Sequence, residues 1–342
     1  MIKLGVIGYG HWGKNLVRNF ERIPGVIISF VADSSESALE SFQSELPRVT
    51  TGEDAQQIIN DPKIDAVVIA TPTETHFQLA MESLMAGKHV FVEKPMTRTS
   101  IEARLLVEEA EKRGLVLMVD HTYAYGGAIG KVRELLSNGD LGRLFYYDSI
   151  RSNLGRFQND VNVIADLASH DFAIMEYLFA EKPVAISASG AAHICNWPEN
   201  LAYTTLFYES GFIAHLNASW ISPMKQRTII VGGDRKMITY NEISTDAKLR
   251  IHDAQIIHPE LSDHQLQVPL QYRHDGIVSL SYDSTEPLQV AAGHFIECIA
   301  NSTKPITDGS FGIRIVEMIE AATASMNARG AQVLLALQDI RS

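Results

Sequence analysis

The chain opens with a short apolar run, Leu4-Gly5-Val6-Ile7, that passes directly into Gly8, Gly10 and Gly13 and then into a helical stretch from His11 to Arg22. Few features narrow a fold so far. Glycines at G-x-G-x-x-G spacing between a strand and a helix permit a tight turn, a close backbone approach to a pyrophosphate, and close packing of helix on strand, in that order. The helix N-terminus then directs its N–H groups at the anion. Asp33 ends the next apolar run, VIISFVAD, twenty positions beyond Gly13 (33 minus 13). A carboxylate there accepts hydrogen bonds from the adenosine ribose and repels a 2′-phosphate, and Ser34 and Ser35 supply no positive charge to offset that. NAD is therefore expected rather than NADP. Asp33 is also compatible with a role as N-cap of the following helix.

The same grammar continues for about 120 residues. ESALESFQSEL reads as a helix, a short strand is expected near Arg48 to Thr50, and then come EDAQQIIN (helix), DAVVIA (strand), ETHFQLAMESLMA (helix), HVFVEKP (strand), IEARLLVEEAEKR (helix) and VLMVD (strand). Strands this apolar, joined by helices, imply a parallel sheet covered on both faces. Residues 1–121 are therefore expected to form an α/β, Rossmann-type, doubly wound NAD-binding domain. Beyond Tyr125 the strands lengthen and alternate. FIAHLNASW places Phe212, Ala214, Leu216, Ala218 and Trp220 on one face and His215, Asn217 and Ser219 on the other, which is the pattern of a half-buried antiparallel strand. Similar runs at 143–151, 184–194, 201–208 and 226–231 predict an α+β domain over 122–342 with a large, mainly antiparallel sheet, serving substrate binding and oligomerisation. Helices are expected near 127–138, 164–179, 289–301 and 310–327, the C-terminal ones packing back on the first domain. The stretch 244–287 is polar, and its periodicity assigns no definite elements.

Lys94 stands between Glu93 and Pro95 at the end of HVFV. Pro95 lacks an N–H and fixes its own φ, so the strand stops there and leaves an ammonium at the sheet edge across which a dinucleotide would lie. ATPTETH brings Thr71, Pro72 and His76 to the same edge; as plain residues they form a turn and a helix start. In VNVIADLASHDFAIMEYLF, Asp166 and His170 are four apart, hence on one face of a helix. His170 titrates near neutrality and suits proton transfer from a hydroxyl, Asp166 suits orienting it, and a lysine suits stabilising alkoxide charge. No further carboxylate or histidine at ligand spacing completes a metal site, and none is expected.

Composition sets limits on partners. The net charge of -12 argues against nucleic acid or an anionic membrane surface. Only Cys195 and Cys298 occur, far apart, so no disulfide framework is indicated and a reducing cytoplasm is the expected setting. The N-terminus enters a strand at Ile2 without a basic leader, and no run of about 18 apolar residues occurs, so neither targeting nor membrane spanning is expected.

GYGHWGKNLVRNF, ATPTETH, AGKHVFVEKPM and DLASHD together resemble the glucose-fructose oxidoreductase, inositol dehydrogenase and MocA family, and the likeness extends over essentially the whole chain. Within it, HTYAY, DSIRSNLGRFQNDVNVIADLASHD and SWISPMKQRTIIVGG are similar to nucleotide-sugar dehydrogenases of the UDP-N-acetylglucosaminuronate 3-dehydrogenase type. Gly127 stands where proline is common, and Ala165 and Ser169 where tryptophan and proline are expected. The resemblance implies Lys94, Asp166 and His170 as the catalytic set. It also implies a cofactor site of Gly8, Gly10, His11, Trp12, Gly13, Asp33, Ser34, Thr71, Pro72, His76, Glu93 and Lys94. For a sugar or nucleotide-sugar substrate, Arg151, Asn153, Arg156, Lys225 and Arg227 join Asp166 and His170, since a diphosphate in an acidic protein needs basic residues. A homo-dimer or homo-tetramer through the second domain is expected. The alternatives are a free-polyol or inositol dehydrogenase, an NADPH-linked keto-sugar reductase, and, in a different class, a non-catalytic NAD-binding regulator.

Overall fold

The computed structural model describes residues 1–155, 157–257 and 271–335, so Arg156 lies outside the described residues. They form two compact units: Met1–Gly126 with Thr285–Glu320, and Gly127–Ser284 with the described chain that follows Glu320.

In the first unit strands and helices alternate as β1 (Ile2–Ile7), α1 (His11–Phe20), β2 (Val26–Ala32), α2 (Glu36–Glu45), β3 (Thr50–Gly52), α3 (Gln56–Ile59), β4 (Ala66–Ile69), α4 (Thr73–Met85), β5 (His89–Glu93), α5 (Ser100–Arg113) and β6 (Leu117–Asp120). The strands are parallel and lie in the order β3-β2-β1-β4-β5-β6. The order reverses beside β1, so the glycine loop that follows β1 sits at the topological switch point, where open α/β sheets bind their ligands. All four residues of β4 are buried, as a strand covered on both faces requires. β3 begins two residues later than the sequence pattern suggested, because a turn returns Val49 N–H to the Leu46 carbonyl at 3.1 Å after Pro47. α5 is closed at both ends: Thr99 and Glu102 make a reciprocal capping box, and Gly114 takes a left-handed φ of 66°.

The second unit contains α6 (Gly127–Ser137), β7 (Leu144–Leu154), a π-helical turn at Ile164–Ala168, α7 (Ser169–Leu178), and then β8 (Ala185–Ala191), β9 (Leu201–Phe207), β10 (Ile213–Ser219), β11 (Ile221–Gly233), β12 (Met237–Asn241), β13 (Leu249–Ile257) and β14 (Gln271–Ser279). With a C-terminal strand, β15 (Val333–Leu334), they form one sheet in the order β14-β13-β12-β11-β7-β10-β9-β8-β15. Every neighbouring pair is antiparallel except β7 and β10. β10 keeps the predicted alternation, with Ala214, Leu216 and Ala218 buried and Ile213 and His215 exposed on the opposite face. The helical pattern expected over 164–179 is divided. A π-turn carries Asp166 and a regular helix carries His170, so their spacing is not that of one continuous α-helix.

Two helices stand between β14 and β15. α8 (Pro287–Asn301) begins with Pro287, whose missing N–H costs nothing in the first turn, and α9 is Gly309–Asn327. Residues 285–320 belong to the first unit. Phe295 of α8 packs edge-on against Phe20 and Phe91, with ring centroids 6.2 and 5.4 Å away. Thr307 accepts and returns hydrogen bonds at β6: Val119 N–H donates to its carbonyl at 2.9 Å, and its hydroxyl donates to the Val119 carbonyl at 2.7 Å.

Candidate active site

The glycine loop is shaped by three different constraints. Gly8 has φ of 96°, and a Cβ there would stand 2.7 Å from the Ala70 carbonyl oxygen; a Cβ on Gly13 would stand 2.1 Å from the Gly8 carbonyl oxygen. At Gly10 a Cβ would meet nothing within 4 Å. Gly10 is also the N-cap of α1, and no side chain caps that helix. The open face at Gly10 and the uncapped N–H groups of α1 fit the pyrophosphate of a dinucleotide. At the end of β2, Asp33 accepts from the Tyr9 N–H (2.6 Å) through Oδ2 and from the Ser35 N–H (2.8 Å) through Oδ1. The N-cap of α2 is Ser35, whose hydroxyl accepts from the Ala38 N–H. Asp33 is thus a carboxylate fixed beside the loop rather than the cap of a helix. Ser34 is exposed next to it.

A second group of side chains gathers where β5 and β6 end. The register pairs Glu93 with Asp120, and a cis peptide bond joins Lys94 to Pro95. Asp120 accepts from Trp12 Nε1 at 3.0 Å and from the Thr122 hydroxyl at 2.8 Å, which ties the glycine loop to the end of β6. Burial, and after it the neighbouring Asp120 carboxylate, holds the Glu93 carboxyl well above the usual carboxylate range, against the opposing effect of the Lys94 ammonium. His121 is 1% exposed, and among the described residues neither of its ring nitrogens has a hydrogen-bond partner. Burial, with the Lys94 charge second, pushes its pKa down to about 3, so the imidazole is neutral. His76 is buried as a strap, its ring nitrogens 2.9 Å from the Pro95 carbonyl and 2.8 Å from the Thr71 carbonyl. It braces the turn after β4 against Pro95 from inside the fold.

In the second unit the DLASHD segment is held at its start. Trp220 Nε1 donates to Asp166 Oδ2 at 2.9 Å, and Ala165 N–H donates to Asn162 Oδ1 at 3.0 Å. π-turns recur at functional sites because they displace side chains from regular helical positions. Arg151 is placed otherwise than its expected role at a substrate phosphate requires. It is 3% exposed and forms an ion pair with Asp171, its Nε 3.0 Å from Oδ2. Arg227 donates to Asn153 Oδ1 (2.6 Å) and to the Ser152 and Gln226 carbonyls, so these two expected substrate residues contact each other. Lys225 is exposed.

The first unit therefore brings Gly8, Gly10, Trp12, Gly13, Asp33, Glu93 and Lys94 to one edge of its sheet, while Thr71 and Pro72 form the N-terminal turn of α4, where Thr75 Oγ1 donates to Thr71 Oγ1. Asp120, His121, Asp171 and Trp220 were not foreseen. Asp120 carried a signal: it ends an apolar strand just as Asp33 does.

Residues 2–121 match the oxidoreductase family with an NAD-binding Rossmann fold, GFO/IDH/MocA, and residues 129–239 match the GFO/IDH/MocA C-terminal domain. The chain belongs to the GFO/IDH/MocA family and is an oxidoreductase. It is 26% identical over 348 residues to scyllo-inositol 2-dehydrogenase (NAD(+)) of Bacillus subtilis, covering 97% of this chain and 95% of that one. It is 31% identical over 224 residues to UDP-N-acetylglucosamine 3-dehydrogenase of Acidithiobacillus ferrooxidans, covering 64% and 67%. A solved structure of levoglucosan dehydrogenase in complex with NADH and L-sorbose shares the fold, with a TM-score of 0.82 at 18% identity over 98% of this chain and 99% of that one. Among the described residues no helix is long and apolar enough to cross a membrane.

Proposed function

We propose that the protein is an NAD-dependent dehydrogenase that oxidises a hydroxyl-bearing carbon of a sugar, with a nucleotide-linked sugar as substrate. The observation that carries the reading is the edge of the parallel sheet, where the open cradle at Gly10, the fixed Asp33 carboxylate and Lys94 all lie at strand ends. NAD, when bound, supplies the nicotinamide carbon that accepts a hydride. The Lys94 ammonium hydrogen-bonds the reacting oxygen and stabilises its developing negative charge. His170 takes the hydroxyl proton, and Asp166, itself fixed by Trp220, orients the imidazole or holds a second hydroxyl. The same groups serve the reverse reduction of a keto sugar.

Lys94→Ala and His170→Ala are each expected to lower turnover by about 10²- to 10⁴-fold. Full turnover in both variants would refute the assignment. The Asp33 carboxylate supports NAD over NADP, and a matched titration with the two cofactors tests that preference. A second reading, a free cyclitol or polyol as substrate, is favoured by Arg151 and Arg227, whose guanidinium groups are engaged by protein partners. Assaying NAD reduction with UDP-sugars, dTDP-sugars and inositols decides between the two. The exposed face of the nine-stranded sheet, with Tyr203 and Ile213 at 43% and 41% exposure, supports self-association.

A further inference from the structure

Three side chains on β7, Tyr147, Ser149 and Arg151, alternate along the strand and so share its inner face. All three reach one carboxylate, that of Asp171 in the first turn of α7. The Ser149 hydroxyl donates to Oδ1 at 2.6 Å and the Tyr147 hydroxyl at 3.4 Å; Arg151 donates from Nε to Oδ2 at 3.0 Å and from Nη2 to Oδ1 at 3.3 Å. Asp171 is 1% exposed, Ser149 2% and Tyr147 0%. A carboxylate this deeply buried persists only with such a donor set, and the forked arginine fixes its direction as well as its charge. One residue away along the chain is His170. Five residues back is Asp166, fixed independently by Trp220.

We propose that Asp171 is the positioning residue of the DLASHD segment. The β7 donors pin the first turn of α7 through its carboxylate and Trp220 pins the π-turn. The backbone between these two anchors then has no freedom to move His170 relative to Asp166. The inference rests on the reading of His170 and Asp166 as the proton-handling pair. It assigns Arg151 to holding the helix rather than to binding substrate.

The test uses the full-length protein with NAD and whichever of scyllo-inositol or UDP-N-acetylglucosamine it turns over. Asp171→Asn is expected to lower kcat by about 10- to 100-fold, as a small misplacement of reacting groups does, and to shift the pH profile of kcat. The dissociation constant for NAD is expected to stay at the wild-type value. Arg151→Lys, which keeps the charge and loses the fork, is expected to lower kcat less than Asp171→Asn does. If Asp171→Asn does not fold, Ser149→Ala decides on the same readouts, since it removes the 2.6 Å hydroxyl and leaves the ion pair in place. A folded Asp171→Asn or Ser149→Ala protein with wild-type kcat and pH profile overturns the proposal. His170→Ala run in parallel separates the two failures: if it loses turnover while Asp171→Asn keeps it, only the positioning role falls, and if it keeps turnover, the proton-handling assignment falls and the positioning role with it.

Discussion

Gly10 and Gly13 lie in one loop, yet the fold asks different things of them. A Cβ on Gly13 collides with the Gly8 carbonyl, whereas Gly10 faces open space. Gly13→Ala is therefore expected to destabilise the apoprotein by about 1–3 kcal/mol through overpacking. Gly10→Ala should leave its stability within about 0.5 kcal/mol and weaken NAD binding instead. Denaturant unfolding and cofactor titration of the two variants check this, and equal stability losses would contradict it. Glu93 and His121 make opposite contributions to the pH dependence of stability. Above about pH 4.3 an unfolded Glu93 ionises while the folded one keeps its proton, so this carboxyl subtracts stability as pH rises toward its raised native value. Below about pH 6.5 an unfolded His121 takes a proton that the folded ring refuses, so stability falls as pH drops from there toward about 3. Glu93→Gln is thus expected to raise the apo melting temperature at neutral pH, and His121→Gln to flatten the acid limb. Calorimetry across the pH range measures both, and an unchanged neutral-pH melting temperature in Glu93→Gln would mean that the carboxyl ionises normally.

At the level of elements, local signals decide how much a sequence discloses. Thr99 and Glu102 cap α5, and Thr99→Ala is expected to cost about 1 kcal/mol in denaturant unfolding. The parallel strands were legible because burial on both faces leaves only apolar residues, as in Ala66–Ile69. β13 and β14 were not legible. They form one edge of their sheet, Arg250, His252, Asp253, Arg273 and Asp275 interrupt any apolar alternation, and the register shifts between Asp253 and Ala254. β11 runs longer than its apolar core because an irregularity between Ile221 and Gln226 accommodates Pro223, which cannot donate to a ladder. The shape of the glycine loop and the place of Asp33 were readable for the same reason as the strands, since the glycine spacing and an acidic strand end are local features. The ion pair of Arg151 was not legible because charged side chains are mostly exposed, and its partner lies twenty residues away on another element, beyond the reach of any local pattern. The π-turn was hidden by a sequence that reads as one helix from Ile164 onward.

For the whole molecule, the open face of the larger sheet carries the prediction about assembly. On β9 and β10, Tyr203 stacks with His215 at 6.3 Å and Ile213 pairs with Phe207. Tyr203→Glu combined with Ile213→Lys is expected to reduce the solution mass to that of one chain, as light scattering would record. A wild-type protein already monomeric at micromolar concentration would remove the claim. The division of the chain into units has a further effect during synthesis. When residue 126 has been added, all six parallel strands exist, yet Phe20 and Phe91 still lack Phe295, and Val119 lacks Thr307. Those partners arrive only after residues 127–284 have been made. A released fragment of residues 1–126 should accordingly expose apolar surface and bind a hydrophobic dye. On the ribosome, the cofactor-binding half, begun first, must wait in an unfinished state while most of the other half is made.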